Sequence, residues 1–108
     1  MSRKYVQSDF PLKPADRWGR VVAAGDEVRI SAIPDTDFHG FDDIGRARYT
    51  ALKDRVLPVT ALEENGYAVF FLWYLSSVDL IGNIGEPTGI DAHETHEFYF
   101  DPRDLEFV

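Results

Sequence analysis

Nine consecutive apolar residues, Tyr67-Ala68-Val69-Phe70-Phe71-Leu72-Trp73-Tyr74-Leu75, constrain the fold more than any other feature of the chain. The run is rich in aromatic residues, which pack well on a pleated surface. It is about half the ~20 residues that cross a bilayer, so it reads as a strand. In a strand, residues 67, 69, 71, 73 and 75 point one way and residues 68, 70, 72 and 74 the other. Both faces are then apolar, and a barrel strand has only one inside face. The outer face therefore needs a cover, because monomers rarely expose large apolar patches. An N-terminal arm carrying Phe10, Leu12 and Trp18 offers one within the chain. The alternatives are a second copy or another protein.

The neighbouring segments supply pairing partners. Glu63-Glu64-Asn65-Gly66 precedes the run, and Asn-Gly between two apolar segments predicts a hairpin with both central residues at positive φ. Residues 56–62, Val-Leu-Pro-Val-Thr-Ala-Leu, read as the partner strand, with Pro58 at an edge or bulge. Residues 25–33 open on the turn signal Gly25-Asp26. They then alternate Val28, Ile30 and Ala32 with polar Glu27, Arg29 and Ser31, a half-buried strand ended by Pro34. Residues 34–55 form a long excursion in which Asp42 or Asp43 caps a short helix running through Tyr49 and Leu52. Gly82, Gly85, Pro87 and Gly89 mark residues 79–92 as a loop. Residues 94–100 form a further strand. Asp101-Pro102-Arg103-Asp104-Leu105 reads as one helical turn before the terminal Glu106-Phe107-Val108. Pro11 and Pro14 keep the arm irregular. Short strands separated by turn signals predict a mainly β sandwich or small barrel, with residues 1–24 as an arm and 25–108 as one domain.

The succession of Gly25-Asp26-Glu27-Val28-Arg29-Ile30, a long first loop, a tight hairpin, a strand and a single turn before a short last strand resembles small bacterial SH3-like barrels. The resemblance covers residues 25–108 and departs from the pattern in the arm and the Gly-rich loop. It implies a binding module or an accessory subunit.

Charge narrows the function classes. The 108 residues carry 11 Lys/Arg and 19 Asp/Glu, a formal net charge of −8. Residues 1–55 hold a net +1 and residues 56–108 a net −9, with Arg103 the only basic residue of the second half. Nucleic-acid binding is not expected, because phosphate neutralisation needs a basic surface. The absence of cysteine excludes disulfides, cysteine metal sites and thiol catalysis. Met1-Ser2-Arg3-Lys4 is followed by polar residues rather than an apolar leader, so a cytoplasmic, non-membrane protein is expected.

Motifs of chemistry are sparse. Asp35-x-Asp37-x-His39-Gly40 is similar to the start of a calcium loop, but Arg46 stands where the bidentate glutamate belongs. On a strand, His93 and His96 of His93-Glu94-Thr95-His96-Glu97 lie on opposite faces and do not share an ion; on a turn they could, with His39 or an acidic residue joining, and beside Glu94 and Glu97 they form a pH-sensitive patch. Gly82 to Gly89 lacks the Lys-Ser/Thr of a phosphate loop. No serine stands in a nucleophile-elbow context. The expectation is a non-catalytic protein-binding module without metal or cofactor. One concrete form is an acidic immunity or antagonist protein that plugs a basic active site, such as that of a nuclease toxin. The alternative is an accessory or regulatory subunit of a larger enzyme. In the first form Tyr67, Trp73, Tyr74 and Tyr99 anchor the partner while Asp79, Glu86, Asp91, Glu94 and Glu97 steer it.

Overall fold

The inner face of the apolar run is the even-numbered one. In the computed structural model, which describes residues 6–33, 42–85 and 94–108, strand β4 (Ala68–Tyr74) buries Ala68, Phe70, Leu72 and Tyr74. The other elements are β1 (Glu27–Ile30), helix α1 (Asp43–Ala51), β2 (Val56–Pro58), β3 (Ala61–Leu62), β5 (Glu94–Phe100) and β6 (Leu105–Phe107). Short 3-10 turns occupy Gln7–Asp9 and Pro102–Asp104. The strands form two three-stranded antiparallel sheets, ordered β2-β1-β6 and β3-β4-β5. The two ladders stay separate among the described residues, and no closed sheet is formed.

The expected strand over residues 56–62 is two strands in different sheets. Pro58 has no N–H to continue a ladder. Val59 N–H instead donates to the Asp26 carbonyl, and Thr60 N–H donates to that of Val69. The chain thereby crosses from β1 to β4 and carries Leu57 and Val59 into one core. Pro58 does lie on an edge strand, as expected from its missing donor. The alternation of residues 25–33 ends at Ile30, because the Ser31 and Ala32 N–H groups both turn to the Asp104 carbonyl and leave Ala32 exposed.

The hairpin forms at Asn65-Gly66, but only Gly66 has positive φ, at 96°. The turn spans Glu63 to Gly66, with Gly66 N–H donating to the Glu63 carbonyl and Glu63 N–H to that of Tyr67. Asn65 is thus free to use its carboxamide, whose oxygen accepts from Tyr67 N–H. Helix α1 starts where its cap predicts: Asp42 Oδ1 accepts from Gly45 N–H at 2.7 Å. It closes the core with Tyr49 and Leu52, and the Tyr49 ring meets Phe98 edge-on at 4.9 Å. Phe70 and Phe100 pack similarly at 5.6 Å. Each such buried ring contributes roughly 1.5–3 kcal/mol.

The arm docks on its own chain. Leu12 N–H donates to the Asn65 carbonyl at 2.7 Å, and Leu12 is 6 % exposed against Gly66. Buried Asp16 accepts from the N–H groups of Trp18 and Arg20 and, with its other oxygen, from Phe107. Burial works against this charge, but the backbone donors Arg20, Phe107 and Trp18 together hold the carboxyl below its ordinary value. With Arg17 N–H on the Leu105 carbonyl, the arm seals the free edge of β6. Val22 then enters the core itself. The arm covers only one end of the outer β4 face, where Phe10 meets Tyr67 at 5.9 Å. Trp18, expected to cover that face, instead lies beside β6, donates from Nε1 to Glu106 and is 70 % exposed. Trp18 is held there because the Asp16 turn and the bond at Leu105 direct residues 16–20 along β6.

Candidate protein-binding surface

The outer face of β4–β5 is built by strand register. Val69 pairs with Tyr99, Phe71 with Glu97 and Trp73 with Thr95, which sets these side chains in adjacent rows. Phe71, Glu97, Tyr99 and Thr95 are exposed and Trp73 is half-buried. The Tyr99 hydroxyl donates to Glu97 Oε2 at 2.5 Å, and that bond pushes the phenol up to about 12. Glu63 raises it further through space, and its N–H bond to the Tyr67 carbonyl sets Glu63 at the hairpin end of the same sheet. The result is an acidic, aromatic patch of Glu63, Tyr99, Glu97 and Phe71.

The loop after β4 extends this surface with aliphatic side chains. Leu75, Val78, Leu80, Ile81 and Ile84 are all exposed, Val78 at 70 % and Ile81 at 60 %. Their backbone is nonetheless fixed. Arg48 of α1 is buried and donates to the carbonyls of Asp79 at 2.8 Å, Ser76 at 3.2 Å and Ser77 at 3.4 Å. Arg55 donates to the Gly82 carbonyl. Asn83 bridges Trp73 with two backbone hydrogen bonds. Gly82 is pressed onto Leu72 and Tyr74, where a Cβ would lie 2.8 Å from either. The carbonyls of Ser76, Ser77, Asp79 and Gly82 are thus satisfied inward, and the apolar side chains are left outward.

Arg48 also decides the fate of two residues expected at the surface. Its guanidinium lies 3.7 Å over the Tyr74 ring and pairs with Glu94 at 2.5 Å. Tyr74 is completely buried, so its expected role as a partner anchor is corrected: as an even-numbered β4 residue it faces the core. Burial pushes its phenol up to about 12. Glu94 is half-buried in an internal ion pair rather than free for steering. Tyr67 is half-buried beside Phe10, with its phenol raised by burial and then by Asp101 and Glu63. Trp73, Glu97 and Tyr99 share the outer face, while Asp79 lies half-buried in the loop. Glu86, Asp91, His39 and His93 lie outside the described residues.

The acidic half is therefore not one patch. Glu94, Asp101 and Glu106 pair with Arg48, Arg103 and Arg29, and Asp104 is buried. Phe71 was legible on the odd-numbered face, but the aliphatic loop residues beyond Leu75 were missed by sequence reasoning. Their signal was available: Val78, Leu80, Ile81 and Ile84 are unusual in a segment whose glycines mark it as a surface loop. No group of three metal-ligating side chains assembles among the described residues.

His96 stands on the inner face of β5, stacked on Phe98 at 4.2 Å and edge-on to Tyr49. Burial and then Arg48 lower its pKa below 6.5, while Glu94 and Asp42 oppose them. The folded state thus binds this proton less readily than the unfolded chain. The resulting stability is fully present above pH 6.5 and is lost as pH falls through the lower folded value. Denaturant unfolding from pH 7.5 to 5 should show falling stability, and His96→Phe should flatten that slope. An equal slope in the variant would remove His96 as its source.

Comparison with protein-family models, with curated proteins and with solved structures finds no match.

Proposed function

We propose that the protein is a non-catalytic, protein-binding module of SH3-like design. The strand orders β2-β1-β6 and β3-β4-β5, linked by the crossing segment at residues 58–61, support that design. The observation that carries the function is the loop of residues 75–84. Two arginines and a backbone bridge hold its main chain, and five aliphatic side chains project from it. A fixed backbone lowers the entropy lost on docking, and exposed apolar side chains supply the favourable term. Glu63 and Glu97 beside the aromatic rows favour a partner with a basic surface, as an acidic antagonist requires. The arm is bonded along its own chain from Leu12 to Val22, which favours this reading over an accessory subunit whose arm clamps a neighbour.

The test is affinity capture from native lysate with the wild-type chain and with Val78→Glu/Ile81→Glu, compared at low and high salt. A basic protein retained by the wild type, lost by the folded double variant and weakened by salt is the expected result. The double change places two charges where apolar contact is needed, so binding should fall at least about a hundredfold. Identical capture by both chains would reject the loop as the binding surface. Association that does not slow with salt would reject electrostatic steering.

A further inference from the structure

In the second sheet the two-residue β3 covers only the start of β4; the rest of that side of β4 is capped, whereas the β5 edge is largely open. On β4, Phe71 N–H donates to Thr60 Oγ1 and Trp73 N–H to the Asn83 carbonyl. These odd-numbered residues direct their backbone groups away from β5. The even-numbered residues of β4 therefore face β5, opposite Phe100, Phe98, His96 and Glu94. By the same alternation, Thr95, Glu97 and Tyr99 turn their N–H and C=O groups away from β4. Tyr99 N–H is taken by the Tyr49 hydroxyl at 3.2 Å. The backbone N–H and C=O groups of Thr95 and Glu97 have no partner among the described residues, and both residues are exposed. The β6 edge is sealed by the arm, and Thr60 and Asn83 take the β4 N–H groups that lie beyond the short β3, whereas nothing among the described residues takes those of Thr95 and Glu97.

We infer that the β5 edge at Thr95 and Glu97 accepts an extended, cationic segment of the partner as an added strand. This inference rests on the protein-binding reading and gives the partner its chemistry. An added strand gains main-chain hydrogen bonds from an unpaired edge, and side-chain pairs set its specificity. Glu97 lies on the outer face beside any such strand. Opposite charges across neighbouring strands attract and like charges repel, so lysine or arginine suits the position facing Glu97. On the inner face the neighbours are half-buried His96 and the Tyr49 ring, which suit a β-branched apolar residue. A second copy of this chain is disfavoured, because each copy carries a net −8 and presents Glu97 at the edge.

The probe is a blocked hexapeptide alternating lysine and valine, added to the full chain while amide hydrogen exchange is followed residue by residue. Exchange at Thr95 and Glu97 should slow by roughly tenfold or more, since only bonded amides are protected. The same peptide methylated on every backbone nitrogen should give no protection, nor should the version with glutamate for lysine. In Glu97→Lys the preference should reverse toward the glutamate peptide. Unchanged exchange at Thr95 and Glu97, or equal protection by all three peptides, overturns the inference. Protection that grows with protein concentration in the absence of peptide also overturns it, because a second copy then fills the edge. If exchange is unchanged while Val78→Glu/Ile81→Glu still sheds its partner, the edge inference fails alone and the loop reading stands.

Discussion

Replacing Arg48 with alanine should remove a large part of the protein's stability. The side chain is 5 % exposed and serves three surroundings at once: the carbonyls of Ser76, Ser77 and Asp79, the Tyr74 ring, and Glu94. Breaking a buried ion pair by removing one partner costs about 3–5 kcal/mol. Glu94 is partly exposed and can rehydrate, so the lower end of that range applies. For a domain of this size the melting temperature should fall by more than about 10 °C. Arg48→Lys should recover only part of the loss, because an ammonium lacks the planar fork that reaches several carbonyls and stacks on a ring. Thermal unfolding followed by circular dichroism checks both variants. A melting temperature within about 2 °C of wild type for the alanine variant would contradict the hub assigned to this residue. Because the same arginine fixes the aliphatic loop, the proposed protein-binding role predicts weaker partner capture by the lysine variant while it remains folded.

Gly66→Ala should be nearly as disruptive, for a steric reason. At φ 96° an added Cβ would lie 2.4 Å from the Leu12 carbonyl oxygen and 2.7 Å from its backbone nitrogen. Those are main-chain atoms and cannot rotate away. Left-handed strain costs roughly 1–2 kcal/mol, and displacing Leu12 forfeits up to about 2–3 kcal/mol of burial. Gly25 provides the control: its φ is 92°, yet nothing lies within 4 Å of an added Cβ. Gly25→Ala should therefore show the strain alone. The difference between the two melting temperatures isolates the contact between arm and hairpin. Limited proteolysis should cut residues 10–22 faster only in Gly66→Ala. Equal destabilisation by both substitutions would mean that the arm contributes nothing at Leu12.

Much of the local structure was legible because its causes are local. The Asp42 cap, the turn at Gly66, the alternation of Val28 and Ile30, and the turn opened by Asp101-Pro102 each depend on residues a few positions apart. The break at Pro58 was half legible. A missing donor announces an interruption, but the sheet that receives the chain after it depends on where β4 lies. The outer face of β4–β5 was legible as a set of side chains, since Trp73, Tyr99 and Glu97 follow from period-two alternation. Which of the two apolar faces points inward was not. Both satisfy the same hydrophobic pattern, and only the packing of β4 against α1 and the first sheet selects Phe70, Leu72 and Tyr74.

By itself, then, the sequence determined a mainly β chain with one capped helix, a hairpin at Asn65-Gly66, no cysteine chemistry and an acidic second half. Only the tertiary structure decided which charges remain available at the surface. Arg48 meets Glu94 and Arg29 meets Glu106 across more than forty residues of chain, while Glu63 and Glu97 stay outside any salt bridge among the described residues. The physical reason is range: turn and cap preferences act within a few residues, whereas burial, ion pairing and strand edges arise between segments that only folding brings together.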